Sequence, residues 1–172
     1  ESGTARPGEG FDGEGGEWEV SPGVRIKDHE RYGRLTLAES MEKSSNIVMA
    51  KLGLAVGSEA FERRARAFGF GERTGLSFPG ESPGLLKPAK EMDRIVLANN
   101  AFGQGLAVTP VQLVTAFSAL ANGGTLYEPR LVRSVGDRAV PGGVAVRRLG
   151  SEATVKALQE MRPRAGVERD DV

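Results

Sequence analysis

Apolar and polar positions change their spacing twice along the chain. Through residues 1–34 the apolar residues are scattered among glycine, proline and acids with no helical period, which reads as an irregular arm with short extended pieces around 18–20 and 24–26. From 35 to 124 the spacing is helical. Thr36 followed by Glu39 is a capping box, so a short helix is expected over 37–43. Ser44, Ser45 and Asn46 interrupt it, because their side chains compete for nearby backbone hydrogen bonds. A second helix is expected over 47–56, ending at Gly57, and a third begins with Ser58 as its cap. The third carries Phe61, Ala65 and Phe68 on one face and stops at Gly69.

A long connection rich in Gly and Pro occupies 69–93, and connections of that length are usually functional or wrapped on the surface. A short helix over 94–101 precedes a Gly103-Gln104-Gly105 turn. Thr109 and Gln112 form a second capping box with Pro110 in the first helical position. Leu113, Val114, Phe117, Leu120 and Ala121 form the apolar stripe of that helix, which Asn122 and two glycines end. Beyond it, 125–135 and 139–148 read as extended and joined at Gly136-Asp137. Ser151 caps a last helix bearing Val155, Leu158 and Met161, and Pro163 breaks it before a polar tail over 162–172.

Composition narrows the chemistry. The chain has 172 residues, room for one domain, and 23 basic residues balance 23 acidic ones, which argues against bulk nucleic-acid binding. There is no cysteine and one histidine, His29, so thiolate metal sites and cysteine nucleophiles are excluded and a Ser-His-Asp arrangement is disfavoured. Glycine is 24 of 172 residues, so tight turns are frequent. Six acids against one arginine in residues 1–19, and five arginines against one acid in 129–150, read as solvated surface.

The Ser44-Ser45-Asn46 junction is the first candidate for chemistry. A hydroxyl and a carboxamide two residues apart on a turn can face one cavity, where Ser44 can relay a proton and Asn46 can both donate to and accept from a peptide group. By spacing alone, such residues between helices are also ordinary caps.

The stretch Lys-Ser-Ser-Asn-Ile-Val-Met-Ala-Lys-Leu-Gly at 43–53 resembles the second motif of penicillin-binding transpeptidases, Ser-x-Asn. The likeness continues through Gly-Phe-Gly-Glu-Arg-Thr-Gly-Leu-Ser-Phe-Pro-Gly-Glu at 69–81. It resumes in Ala-Phe-Gly-Gln-Gly-Leu-Ala-Val-Thr-Pro-Val-Gln-Leu at 101–113, Ala-Asn-Gly-Gly at 121–124 and Pro-Arg-Leu-Val at 129–132. Ordered together, these resemble the class B penicillin-binding proteins over roughly residues 1–160. The resemblance implies a mixed α/β fold of the penicillin-binding protein/β-lactamase type. This chain would be a partial transpeptidase domain: an arm over 1–34, a helical lobe over 35–124, and strands forming a β-hairpin with a helix over 125–161.

It further implies a peptidoglycan D,D-transpeptidase that cross-links stem peptides by serine acyl transfer. In that family a Ser-x-x-Lys motif supplies nucleophile and base, and a Lys-Thr-Gly strand completes the carboxylate site and oxyanion hole. Carried over residue by residue, Ser44 shuttles a proton and Asn46 orients the substrate amide. The implied partners are the D-Ala-D-Ala end of a stem peptide, β-lactams and the cell-wall synthesis machinery, with no nucleic acid and no cofactor or metal. The implied location is the extracytoplasmic face of the cell membrane. The alternative is a non-catalytic penicillin-binding-like sensor or cell-wall scaffold. A helical interaction module with no cell-wall role would have to treat the ordered motifs as chance.

The sequence departs from the pattern in two ways. No Lys-Thr-Gly or Lys-Ser-Gly occurs, and the only Ser-x-x-Lys, Ser40 to Lys43, abuts Ser44 instead of lying several dozen residues before it. Ser40 also lies within a helix, away from the N-terminal dipole that helps an alkoxide form. Arg73-Thr74-Gly75 imitates Lys-Thr-Gly but sits in the glycine-rich connection. The chain is therefore expected to be a middle fragment with one of three motifs, inactive by itself.

Overall fold

The computed structural model describes residues 3–76 and 79–161; the tail expected over 162–172, with its Pro163, lies outside the described residues. The arm is more ordered than expected. Strand β1 (Gly10–Asp12) pairs antiparallel with β4 (Arg34–Thr36), and between them β2 (Glu17–Ser21) pairs antiparallel with β3 (Val24–Lys27). The extended pieces expected around 18–20 and 24–26 are β2 and β3, whereas β1 and β4, three residues each, are too short to show a period of two. Trp18 packs against the core, and Lys51 fastens the arm from the helical side. Its ammonium lies 5.3 Å from the Trp18 ring centre and donates to the Asp12 carbonyl at 2.8 Å and to Glu14 at 2.5 Å.

Helix α1 (Leu37–Glu42) begins at the expected capping box: Thr36 Oγ1 accepts from the Glu39 amide while the Glu39 carboxylate accepts from the Thr36 amide. Helix α2 (Asn46–Val56) follows after the serine turn. Helix α3 (Ser58–Ala67) differs in its start: Gly57 is the N-cap and Ser58 is the first helical residue, making no side-chain cap. With one residue between α2 and α3, only a glycine at φ +82° makes the reversal, so the cap position falls on it. Helix α4 (Arg94–Ala101) is capped by Asp93, and α5 (Pro110–Ala121) by the Thr109–Gln112 box.

The core has three linked parts. Val20 and Ile26 of the β2–β3 hairpin meet Ile47 and Ala50 of α2 and Ala98 of α4. Leu86, Met92 and Leu97 pack with Leu54, Phe61 and Ala65, and Ala119, Leu126 and Leu149 pack with Ala67 and Phe68. Helices α2 and α4 touch closely because Gly53 leaves no Cβ; one built there would collide with the Ala101 methyl group.

Helix α5 buries a different face from its most apolar one. Gln112, Ala116 and Ala119 are buried, whereas Leu113, Val114 and Phe117 of the apolar stripe are exposed, Phe117 at 64%. The face that packs carries the small Ala116 and Ala119 together with Gln112, whose side-chain amide bonds the carbonyls of Gly69, Glu72 and Pro83.

After α5, β5 (Thr125–Tyr127) pairs antiparallel with β8 (Ala145–Arg148), and between them β6 (Ser134–Val135) and β7 (Arg138–Ala139) pair around the Gly136-Asp137 turn. Helix α6 (Glu152–Glu160) starts from Ser151, whose hydroxyl accepts from the Thr154 amide.

Candidate active site

Ser44 lies between α1 and α2 with φ at +51°. Among the described residues only Glu14 shares that left-handed conformation without being glycine, and L-residues avoid it because Cβ crowds the backbone. Ser44 is exposed, and its amide donates to the Met41 carbonyl at 3.3 Å. Asn46 is half-buried in the first position of α2, and its Nδ2 donates to the Lys27 carbonyl at 2.8 Å. That leaves one amide hydrogen and the side-chain carbonyl oxygen of Asn46 for a ligand.

Ser45 is fully buried and carries no catalytic expectation. Its Oγ donates to Asp28 Oδ2 at 2.7 Å and accepts from the Val48 amide at 3.2 Å, capping α2. The other oxygen of Asp28 accepts from the Ile47 amide at 3.0 Å. The Asp28 carboxylate therefore sits at the N-terminus of α2, where the helix dipole favours an anion. No local pattern marks Asp28, because its partners lie 17 and 19 residues onward.

The two imitations of catalytic motifs resolve as structure. Ser40 is fully buried and its hydroxyl donates to the Thr36 carbonyl at 2.7 Å, one turn back along α1. The Lys43 ammonium instead lies 5.4 Å from the Tyr32 ring centre. Arg73-Thr74-Gly75 is a loop. The Thr74 amide and hydroxyl donate to the Glu81 carboxylate at 2.7 and 2.5 Å, which holds that carboxyl below its usual range, chiefly through the hydroxyl. His29 is exposed in the connection after β3.

The glycine-rich turn after α4 rests on Asn100. A Cβ at Gly105 would collide with Asn100 Oδ1, a buried oxygen with no hydrogen-bond partner among the described residues. Neither Ser44 nor Asn46 lines either of two cavities among the described residues. One, of about 190 Å³, lies between the 69–75 loop and β5, lined by Thr74, Gln112, Tyr127 and Arg147; the other, of about 330 Å³, lies between α3 and α6.

Comparison with known proteins points one way. The sequence profile of the penicillin binding protein transpeptidase domain matches residues 1–164. The peptidoglycan D,D-transpeptidase FtsI of Escherichia coli is 37% identical over 139 residues, which is 81% of this chain and 23% of the relative. Penicillin-binding protein PbpB of Mycobacterium tuberculosis is 34% identical over 154 residues, 86% of this chain and 22% of the relative. Among solved structures, penicillin-binding protein 3 of M. tuberculosis, complexed with aztreonam, superposes with a TM-score of 0.80 at 31% identity, covering 92% of this chain and 36% of that one. The transpeptidase domain of Burkholderia pseudomallei penicillin-binding protein 3 gives 0.81 at 27% identity, covering 91% and 46%. The chain thus spans about a fifth to a quarter of the length of the curated relatives it matches.

Proposed function

The chain belongs to the penicillin-binding protein transpeptidase domain family, in its class B branch, and on that premise we propose that it is the Ser-x-Asn part of a peptidoglycan D,D-transpeptidase. The proposed substrate is the D-Ala-D-Ala end of a stem peptide. A serine hydroxyl attacks the penultimate D-Ala carbonyl, terminal D-Ala leaves with the proton, and the acyl group passes to the amine of a neighbouring stem. β-Lactams acylate the same serine. The nucleophile belongs to the family's Ser-x-x-Lys motif, and buried Ser40 does not serve as one.

In this reading the Ser44 hydroxyl relays the proton to the leaving amine, and the free N–H and carbonyl oxygen of Asn46 pair with a substrate peptide group. The observation that carries it is the presentation of an exposed hydroxyl beside a half-tethered carboxamide on a turn held by Asp28 and Lys27. No described helix is long and apolar enough to cross a membrane, and the proposed site of action, outside the cytoplasmic membrane beside the cell-wall synthesis machinery, rests on family likeness.

Labelled penicillin tests the proposal on the complete transpeptidase domain. Wild type takes the label covalently. Ser44→Ala and Asn46→Ala are expected to slow labelling by roughly 10²-fold or more, within the range for lost proton transfer, while Ser40→Ala labels normally. Labelling of Ser44→Ala and Asn46→Ala at the wild-type rate would overturn the assignment. The 172-residue chain alone is expected to take no label.

A further inference from the structure

We propose that Asp28 is a positioning residue for the acyl-transfer site, setting the Ser44–Asn46 turn from outside it; this rests on the reading of Ser44 and Asn46 given above. Three consecutive residues after Ser44 are tied to two consecutive residues that end and follow β3. The Ser45 hydroxyl and the Ile47 amide donate to the two oxygens of Asp28 at 2.7 and 3.0 Å, and Asn46 Nδ2 donates to the Lys27 carbonyl at 2.8 Å. From the other side, the Ser45 amide donates to the Ser40 carbonyl at 2.9 Å, anchoring the turn to α1. Ser44 is the exposed residue immediately before these anchors, and its own amide donates to the Met41 carbonyl at 3.3 Å.

The φ of +51° at Ser44 is that of a helix C-terminal stop: the Ser44 amide donates to the Met41 carbonyl and the Ser45 amide to the Ser40 carbonyl, which closes α1, and Asp28 then fixes where the next residues sit. Ser45 is fully buried and Asp28 half-buried, so the bond between them is partly shielded from water. The chemistry of the acceptor matters as much as its place. Both groups that face Asp28 are donors, and a carboxylate accepts at both oxygens. An asparagine of nearly the same shape presents one oxygen and one NH2, so one of the two donors would face another donor. The α2 N-terminus would then shift, carrying the Ser44 hydroxyl and the Asn46 amide with it.

The test is a double-mutant cycle on the complete transpeptidase domain, read as the second-order rate of acylation by fluorescent penicillin, well below the melting temperature of every variant. Asp28→Asn is expected to slow acylation about tenfold or more, the scale of a small misplacement of reacting groups. Because Asp28 acts through Ser44 and Asn46, Asp28→Asn combined with Ser44→Ala is expected to slow acylation by clearly less than the product of the two single losses. Ser45→Ala, which removes one of the two Asp28 bonds together with the cap on the Val48 amide and keeps the Ile47 bond, is expected to slow acylation a few-fold and serves if Asp28→Asn does not fold. Wild-type acylation in Asp28→Asn, or losses that multiply independently in the double variant, would refute the positioning role while leaving Ser44 in place. Wild-type acylation in Ser44→Ala and Asn46→Ala would instead remove the site assignment, and this inference with it.

Discussion

The side-chain nitrogen of Gln112 lies 2.7 Å from the carbonyl oxygen of Glu72, 40 residues earlier in the chain. The same nitrogen lies 2.9 Å from the Pro83 carbonyl and 3.2 Å from that of Gly69, while Gln112 Oε1 accepts from the Thr109 amide. One buried side chain thus closes the α5 capping box and gathers both ends of the long 69–84 loop.

Replacing Gln112 by leucine should cost about 1–3 kcal/mol, because carbonyls of Gly69, Glu72 and Pro83 lose a donor in a buried place. Glutamate there should be worse at neutral pH, since a carboxylate would face three acceptors. It should recover partly on acidification, when the protonated acid regains a donor. Denaturant titration of both variants at two pH values measures this.

At Gly53, α2 packs against Ala101 of α4 with no room for a Cβ. Gly53→Ala gains about 1 kcal/mol of helix propensity, yet its methyl would collide with that of Ala101, and neither can swing aside. We expect net destabilisation of about 1–3 kcal/mol from overpacking. The double variant Gly53→Ala, Ala101→Gly should be more stable than the sum of the two single changes, as read from melting temperatures.

The acid limb of stability should depend on Glu62 and Glu81. The Ala89 amide, and then Arg66, hold the Glu62 carboxyl below its usual range; the Thr74 hydroxyl and amide do the same for Glu81. A carboxyl lowered on folding stabilises the fold above its unfolded value, about 4.3, and that contribution disappears as pH falls through the lower folded value. Stability should therefore decline below about pH 4.3. Glu62→Gln and Glu81→Gln should lower stability at pH 7 and flatten the decline, as seen in unfolding curves across pH.

The two faces of α5 should respond oppositely to substitution. Leu113→Ser and Phe117→Ser lie on the exposed face and should change the stability of this chain by less than about 0.5 kcal/mol. Ala116→Leu and Ala119→Leu enlarge side chains that are 5% and 1% exposed and should cost about 1–3 kcal/mol by overpacking. Denaturant midpoints of the four variants decide between the faces.

How much was legible follows the range of the interactions. The helix starts at Thr36, Thr109 and Ser151 were readable because each cap is made three residues away, as was the stop of α3 at Gly69. The ordered motifs from 43 to 132 were enough to indicate the family that the profile match over 1–164 shows. The β1–β4 pair of the arm, the pairing of β5 with β8 around a smaller hairpin, and the hold of Asp28 on Ser45 were not readable. Each joins residues well separated in sequence through bonds that leave no periodic trace.

By itself, then, the sequence determined where most helices begin, α3 excepted, and which family motifs stand in which order, since caps, turns and motif strings are written in neighbouring residues. The tertiary structure alone decided which face of α5 is buried, which carbonyl the Ser40 hydroxyl bonds, and that an aspartate 16 positions before Ser44 holds the turn that presents it. Those outcomes depend on which distant surfaces reach close contact, and apolar character along one helix does not say which of its faces a neighbour will cover.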